Sequence, residues 1–269
     1  MLAQIMSVLN ITPDSFSDGG EFENAEKAYE KAQNMIADGA DIIDIGGESS
    51  APNSAEVSAE EEWRRIFPVL KKVLPCSVPV SVDTWKSDIA EKSLRMGVNI
   101  INDITAFRGD SNMVQVLKHS PCDIVIMYSK DPSARTTLAE KKYSDVVREV
   151  GDFLEERLEY AQKNGIEKKR IILDVGMGAF LSSDPAVSFE MLARIGEIKA
   201  RFPEQRILVG TSRKGFLRTV SDAQNPKKRV IASVVSSLVA IQNGADIVRV
   251  HDTKEMREAL DTFLAIREQ

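Results

Sequence analysis

Eight short apolar runs, each followed by a longer stretch with helical spacing, constrain this chain more than any other feature. The runs are Ile5–Leu9, Asp41–Ile45, Val80–Val82, Ile100–Asp103, Ile124–Met127, Ile171–Asp174, Ile207–Val209 and Ile247–Val250. They are apolar on both faces, as strands of a parallel sheet covered by helices should be. Helices are expected between them over Asn24–Asp38, Ala59–Val73, Ser87–Met96, Asn112–Lys118, Ser144–Asn164, Pro185–Ala200 and Pro226–Asn243, and Lys254–Arg267 closes the chain. Ser58 and Ser87 suit N-caps, Pro185 and Pro226 suit first turns, and Gly39, Gly97, Gly165 and Gly244 stand where helices should stop.

Strict βα alternation means a parallel α/β fold, either an open doubly wound sheet or a closed barrel. Eight units within 269 residues favour the α/β (β/α)8 TIM barrel, with residues 1–269 as a single domain. The polar residues argue the same way. Asn10, Asp44, Asp83, Asn102, Asp174, Arg249 and His251 all fall at or just past C-terminal strand ends, and Arg213 and Lys214 follow the seventh strand. In a barrel that end is the active face, whereas an open sheet would spread these positions along an edge. The longest loops, Ile11–Glu23, Gly46–Val57 and Tyr128–Tyr143, are on that face too.

Composition narrows the setting. A net charge of −6 argues against general nucleic-acid binding, although a local cationic cluster can still hold an anion. No apolar run reaches the ~18 residues that span a bilayer, and the N-terminus lacks the order of a signal peptide, so no membrane partner and a cytoplasmic location are expected. Two cysteines, Cys76 and Cys122, are too few for a disulfide framework or a Cys-rich metal site.

Asp83, Asn102, Asp174 and Lys214 together offer two carboxylates, one amide and one cation, a set suited to a flat heterocycle with several N–H groups and a carbonyl. One strand-end Asp alone would as readily cap a helix. Arg213, Lys214, Arg249 and His251 gather after strands seven and eight, where many barrels hold phosphate. Lys227–Lys228–Arg229 reads instead as a solvated charge run, and His119 receives no role. Asn10 opens a polar loop whose carboxamide suits Mg2+, with Asp18 available as a second oxygen ligand on closure and Phe16 as the loop's lone exposed aromatic.

These residues resemble one family. The run Asn10–Gly20 (NITPDSFSDGG) looks like the first signature of dihydropteroate synthases, and Asp44–Ser49 (DIGGES) resembles the second. Ser81-Val-Asp83, Ile101-Asn102-Asp, Leu173-Asp174-x-Gly, Ser212-Arg-Lys214 and Arg249-Val-His251 follow in the family's order, covering essentially the whole chain. The resemblance implies condensation of a dihydropterin diphosphate with p-aminobenzoate, in which diphosphate leaves first and the arylamine attacks a cationic pterin. It implies that Asp83, Asn102, Asp174 and Lys214 bind pterin, with Asp83, Asp174 and Lys214 catalytic. Asn10, Arg249 and His251 would hold the diphosphate, Asn10 with Mg2+ as cofactor. Ser50, Pro52 and Gly215 would lie on the p-aminobenzoate side, and a homodimer is expected.

The sequence also departs from the family. Ala51 stands where most members carry an arginine, Gly215 where a serine is usual, and Tyr128 where a histidine is common. The loop after Asp174 (DVGMGAFL) lacks the usual proline and lysine and is similar to sulfonamide-insensitive versions, so weaker sulfonamide binding is expected. The alternatives weighed are a methyltetrahydrofolate–corrinoid methyltransferase, a non-catalytic pterin-binding paralogue, and an enzyme using another amine.

Overall fold

The computed structural model describes residues 3–11, 21–50, 54–221 and 225–267, with the side chains of residues 21–23 excepted. Eight parallel strands close into a barrel in sequence order. They are β1 Gln4–Asn10, β2 Ile42–Gly46, β3 Val80–Asp83, β4 Ile100–Asp103, β5 Asp123–Met127, β6 Ile171–Asp174, β7 Arg206–Val209 and β8 Ile247–Val250. Pairing of β1 with β8, with Ser7 opposite Val250, completes the ring. Outside run α1 Glu21–Ala37, α2 Ala59–Val73, α3 Ser87–Met96, α4 Met113–Leu117, α5 Val146–Lys163, α6 Pro185–Ala193, α7 Ile195–Arg201, α8 Val230–Gln242 and α9 Thr253–Arg267. No helix among the described residues is long and apolar enough to cross a membrane.

The alternation of side chains along a strand sorts the core into two parts. Met6, Ile42, Ile100, Val125, Ile172, Leu208 and Ile247 form a buried cluster inside the barrel. Their strand neighbours, such as Ile43, Ile101, Val82 and Leu173, belong to the larger cluster between sheet and helices. Two residues beyond the inner cluster, on the same face, come Asp44, Asn102, Asp174 and Arg249. A plug of aliphatic side chains therefore closes the barrel immediately below these polar groups and withholds water from that side.

Three local expectations need correction. The N-cap of α3 is Lys86, not Ser87: the Lys86 side chain leaves for Glu48 and Glu62, while the Ser87 amide donates to Asp110. The helix expected over Pro185–Ala200 breaks at Arg194, because Asn243 donates to the carbonyls of Leu192 and Ala193 and ends α6 there. The helix expected from Pro226 begins as a 3-10 turn over Pro226–Lys228, and α8 starts only at Val230. Ser58 caps α2 as expected, accepting from the Glu61 amide, and the four named glycines all adopt positive φ.

Candidate active site

The barrel mouth holds a cavity of about 560 Å³. Asn10, Ser50, Asp83, Lys214, Gly215, Arg249 and His251 all line it, as does Arg213. Seven of the predicted site residues thus meet in one place, brought there from strands β1, β3 and β8 and from the loops after β2 and β7. Asn102 and Asp174 lie deeper, 2% and 6% exposed, against the aliphatic plug. Phe16, Asp18 and Pro52, and with them Ala51, lie outside the described residues.

Arg249 lies across the floor. Its guanidinium bonds Asp44 at 2.6 to 2.7 Å and Asp83 at 2.6 Å, and Asp44 is wholly buried. Burial acts against the charge on Arg249, but Asp44 and Asp83 hold its pKa above the ordinary arginine value. Burial raises Asp83, opposed by Arg249, and raises Asp174, opposed by Lys214. Lys214 is pushed down to about 8 by burial, with Asp174 acting the other way. Two buried acceptors, Asp44 Oδ1 and Asn102 Oδ1, have no hydrogen-bond partner. Leaving such an atom unpaired costs about 1–3 kcal/mol, so the floor is built to receive donors.

The loop after β6 shapes the cavity wall. Gly176 has φ +66°, and a Cβ there would come 2.3 Å from the Tyr128 carbonyl oxygen, so only glycine fits. The Gly176 amide donates to Asp174 Oδ1, and Lys214 Nζ donates to the Met177 carbonyl while lying 5.0 Å from the Phe180 ring centre. Tyr128, by contrast, turns away from the cavity, with its ring edge-on to Phe153 and its hydroxyl near Tyr143 and Glu149. That departure from the family therefore falls outside the cavity wall.

The turn carrying Arg213 and Lys214 is held from behind. Arg213 sits at φ +60°, pairs with Asp252 at 2.5 Å, and donates its amide to Ser233 Oγ. Arg229, expected to be solvated, is instead 4% exposed and donates from Nη1 to the carbonyls of Arg213 and Lys214 at 2.8 and 3.4 Å. The run conceals it because only Lys227 and Lys228 face outward. A signal was available in α8, whose buried face is Ser233, Ser236, Ser237 and Ala240. Serines on the inner face of an otherwise aliphatic helix mark a polar object packed against it. Thr211 meets Ser236 and Ser237 through its hydroxyl in the same way.

Sequence reasoning also missed the anchoring role of Glu48. It accepts from Trp85, Lys86, the Val57 amide and Arg135, and Arg135 also donates to the carbonyls of Ser54 and Ala55. The loop after β2, which carries Ser50, is thereby tied to the loop after β5. Among the described residues no group of three or more His, Cys, Asp or Glu side chains is arranged to hold a metal.

Residues 6–251 match the pterin binding enzyme family. The chain is 38% identical to the dihydropteroate synthase of Neisseria meningitidis, covering 98% of this chain and 92% of that protein. It is also 38% identical to a folic acid synthesis protein of Schizosaccharomyces pombe, a longer protein of which it spans 36%. A crystal structure of dihydropteroate synthase from Clostridium difficile, obtained in the presence of pteroic acid, superposes with a TM-score of 0.90 at 38% identity, covering 100% of this chain and 98% of that one. With the barrel, the site and the full-length similarity in agreement, the chain belongs to the pterin-binding enzyme family, among its dihydropteroate synthases.

Proposed function

We propose that this chain joins 6-hydroxymethyl-7,8-dihydropterin diphosphate to p-aminobenzoate, with the pterin on the barrel floor and the diphosphate at the β7–β8 side of the mouth. As a dihydropteroate synthase it is a transferase of folate biosynthesis. The observation that carries the residue assignment is the pairing of an acceptor-rich floor with a cationic wall. Asp83, Asn102 and Asp174 offer acceptors to the pterin N–H edges, and Lys214 offers a donor to its carbonyl. The unpaired Asn102 Oδ1 and Asp44 Oδ1 match a ligand rich in N–H groups. Arg249 and His251, with Arg213 beside them, face the diphosphate.

Binding requires Arg249 to yield Asp83, which it holds in the structure. A guanidinium released toward the mouth gains phosphoryl oxygens in exchange. The methylene C–O bond then breaks with its electron pair leaving on diphosphate, and Asp83 and Asp174 stabilise the cation that remains. The aniline nitrogen attacks that carbon, and its proton passes to the departed diphosphate, so no dedicated base is needed. Ser50, Pro52 and Gly215 are assigned to the p-aminobenzoate side, and Phe16 and Asp18 to the loop after β1.

The donor set suits Mg2+ only as an ion shared with substrate. Asn10, in the cavity lining, would supply one hard carboxamide oxygen to an ion whose other ligands would come from water and phosphate. Bound there, it would neutralise charge on the leaving group.

Residues 1–269 are assigned as one functional domain. The free thiols of Cys76 and Cys122 support the reducing cytoplasm. A homodimer is supported by the outer face of α8, where Ile231 is 81% exposed and Val235 and Val239 continue the stripe. The functional test is turnover of purified protein with pterin diphosphate, p-aminobenzoate and Mg2+. Dihydropteroate that depends on p-aminobenzoate is expected, whereas diphosphate release without it would mean that another amine is the acceptor.

A further inference from the structure

We infer that Ser212 fixes His251 in the tautomer with its proton on Nε2, so that a neutral imidazole presents an N–H donor to the leaving diphosphate. The inference deepens the proposed function and rests on it for the identity of the anion, but its core is a hydrogen-bond count. The backbone N–H of His251 donates to Ser212 Oγ at 3.1 Å, and the same oxygen lies 3.0 Å from His251 Nδ1. An amide N–H only donates, so Ser212 Oγ is the acceptor in the first contact.

The second contact then has two solutions. Either the hydroxyl donates to a bare Nδ1, or an Nδ1–H donates to the hydroxyl. In the second arrangement the Ser212 proton has no partner among the described residues and is left to the solvent of the cavity, which Ser212, 6% exposed, also lines. The first arrangement pairs the hydroxyl, the His251 amide and Nδ1 within the protein. The bond at one ring nitrogen sets which nitrogen carries the proton. Nε2 is the nitrogen that Ser212 does not occupy, and His251 lines the cavity alongside Arg213 and Arg249.

The assignment matters for a neutral ring, the form that the surroundings of His251 favour in the ligand-free site. Burial, and then the charges of Arg249 and Arg213, bring its pKa down to about 3. A neutral imidazole in the opposite tautomer would turn a lone pair toward a phosphoryl oxygen and repel it. Ser212 is itself fixed by its neighbours, since Thr211 is bonded to α8 serines and the Arg213 amide to Ser233. Ser212 is thus a positioning residue, acting on the anion through His251.

The test uses nitrogen-15 NMR of the imidazole rings in the whole protein. The chain has two histidines, so His119→Gln assigns the signals of His251. At neutral pH the wild type should show an unprotonated Nδ1 and a protonated Nε2. Ser212→Thr should keep that pattern, and Ser212→Ala should average or invert it. A proton on Nδ1 in the wild type, or an unchanged pattern in Ser212→Ala, would overturn the inference. Should Ser212→Ala fail to fold, the wild-type and Ser212→Thr spectra still decide it. Inorganic diphosphate titrated by calorimetry should bind Ser212→Ala about tenfold more weakly, the low end of what removing an orienting partner costs a metal-bound histidine. Equal diphosphate affinity in the two proteins would overturn the functional use of the proton. Wild type with the expected spectrum but no diphosphate binding would sink the proposed function while supporting the tautomer.

Discussion

Replacing Arg229 with alanine separates a residue that builds the site from the solvated charges beside it. Arg229 is 4% exposed, and its Nη1 donates to the Arg213 carbonyl at 2.8 Å. A hydrogen bond from a charged donor contributes about 1.5–3 kcal/mol, whereas the 3.4 Å contact with the Lys214 carbonyl is too long to add much. Alanine also removes two stem methylenes, at about 0.8 kcal/mol each when buried. Together these give a loss of roughly 3–5 kcal/mol, enough to lower the melting temperature of a protein of this size by about 10 °C. Urea unfolding of wild type, Arg229→Ala and Lys228→Ala measures it, with Lys228→Ala expected within about 0.5 kcal/mol of wild type. Because Arg229 holds the turn bearing Lys214, the KM for pterin diphosphate should rise while that for p-aminobenzoate stays near its wild-type value. An Arg229→Ala protein as stable as Lys228→Ala would refute the reading of a buried clamp.

Further outcomes are expected. Gly215→Ser should fold as stably as wild type, because a Cβ there meets open space, and should lower the KM for p-aminobenzoate; a stability loss above about 1 kcal/mol would contradict the geometry. Burial sets the Lys214 pKa near 8, so kcat/KM should fall as pH rises through about 8, and a flat profile beyond that point would contradict a cationic role. The linked stability has the opposite sign: Lys214 loses its proton at lower pH in the native state than its ordinary 10.5, so its contribution to stability rises between those two values. Sulfonamides should inhibit more weakly than in ordinary relatives, given the altered loops around Ala51, Gly215 and Phe180, and inhibition of ordinary strength would refute this. Val235→Glu should shift a dimer toward monomer in analytical ultracentrifugation, with no shift counting against α8 as the interface.

The strands were legible because the buried parallel pattern leaves little ambiguity, and their observed limits differ from the expected ones by a residue or so. The polar positions followed from the same periodicity: Asp44, Asn102, Asp174 and Arg249 each lie two residues past a member of the aliphatic plug. What sequence did not disclose were contacts between residues far apart in the chain. The break at Arg194 depends on Asn243, and the burial of Arg229 depends on carbonyls in another loop. The Arg249 pairing joins β8 to Asp44 on β2 and Asp83 on β3, and no local spacing announces it. Nor did Glu48, read as one letter of a motif, reveal the four donors that converge on it.

The most direct test is a crystal structure of this protein with pterin diphosphate and Mg2+. The account predicts pterin edges on Asp83, Asn102, Asp174 and Lys214, the diphosphate on Arg249 and His251, and Arg249 released from Asp83. Pterin bound elsewhere, or bound at the mouth with Arg249 still paired to Asp83, would contradict it.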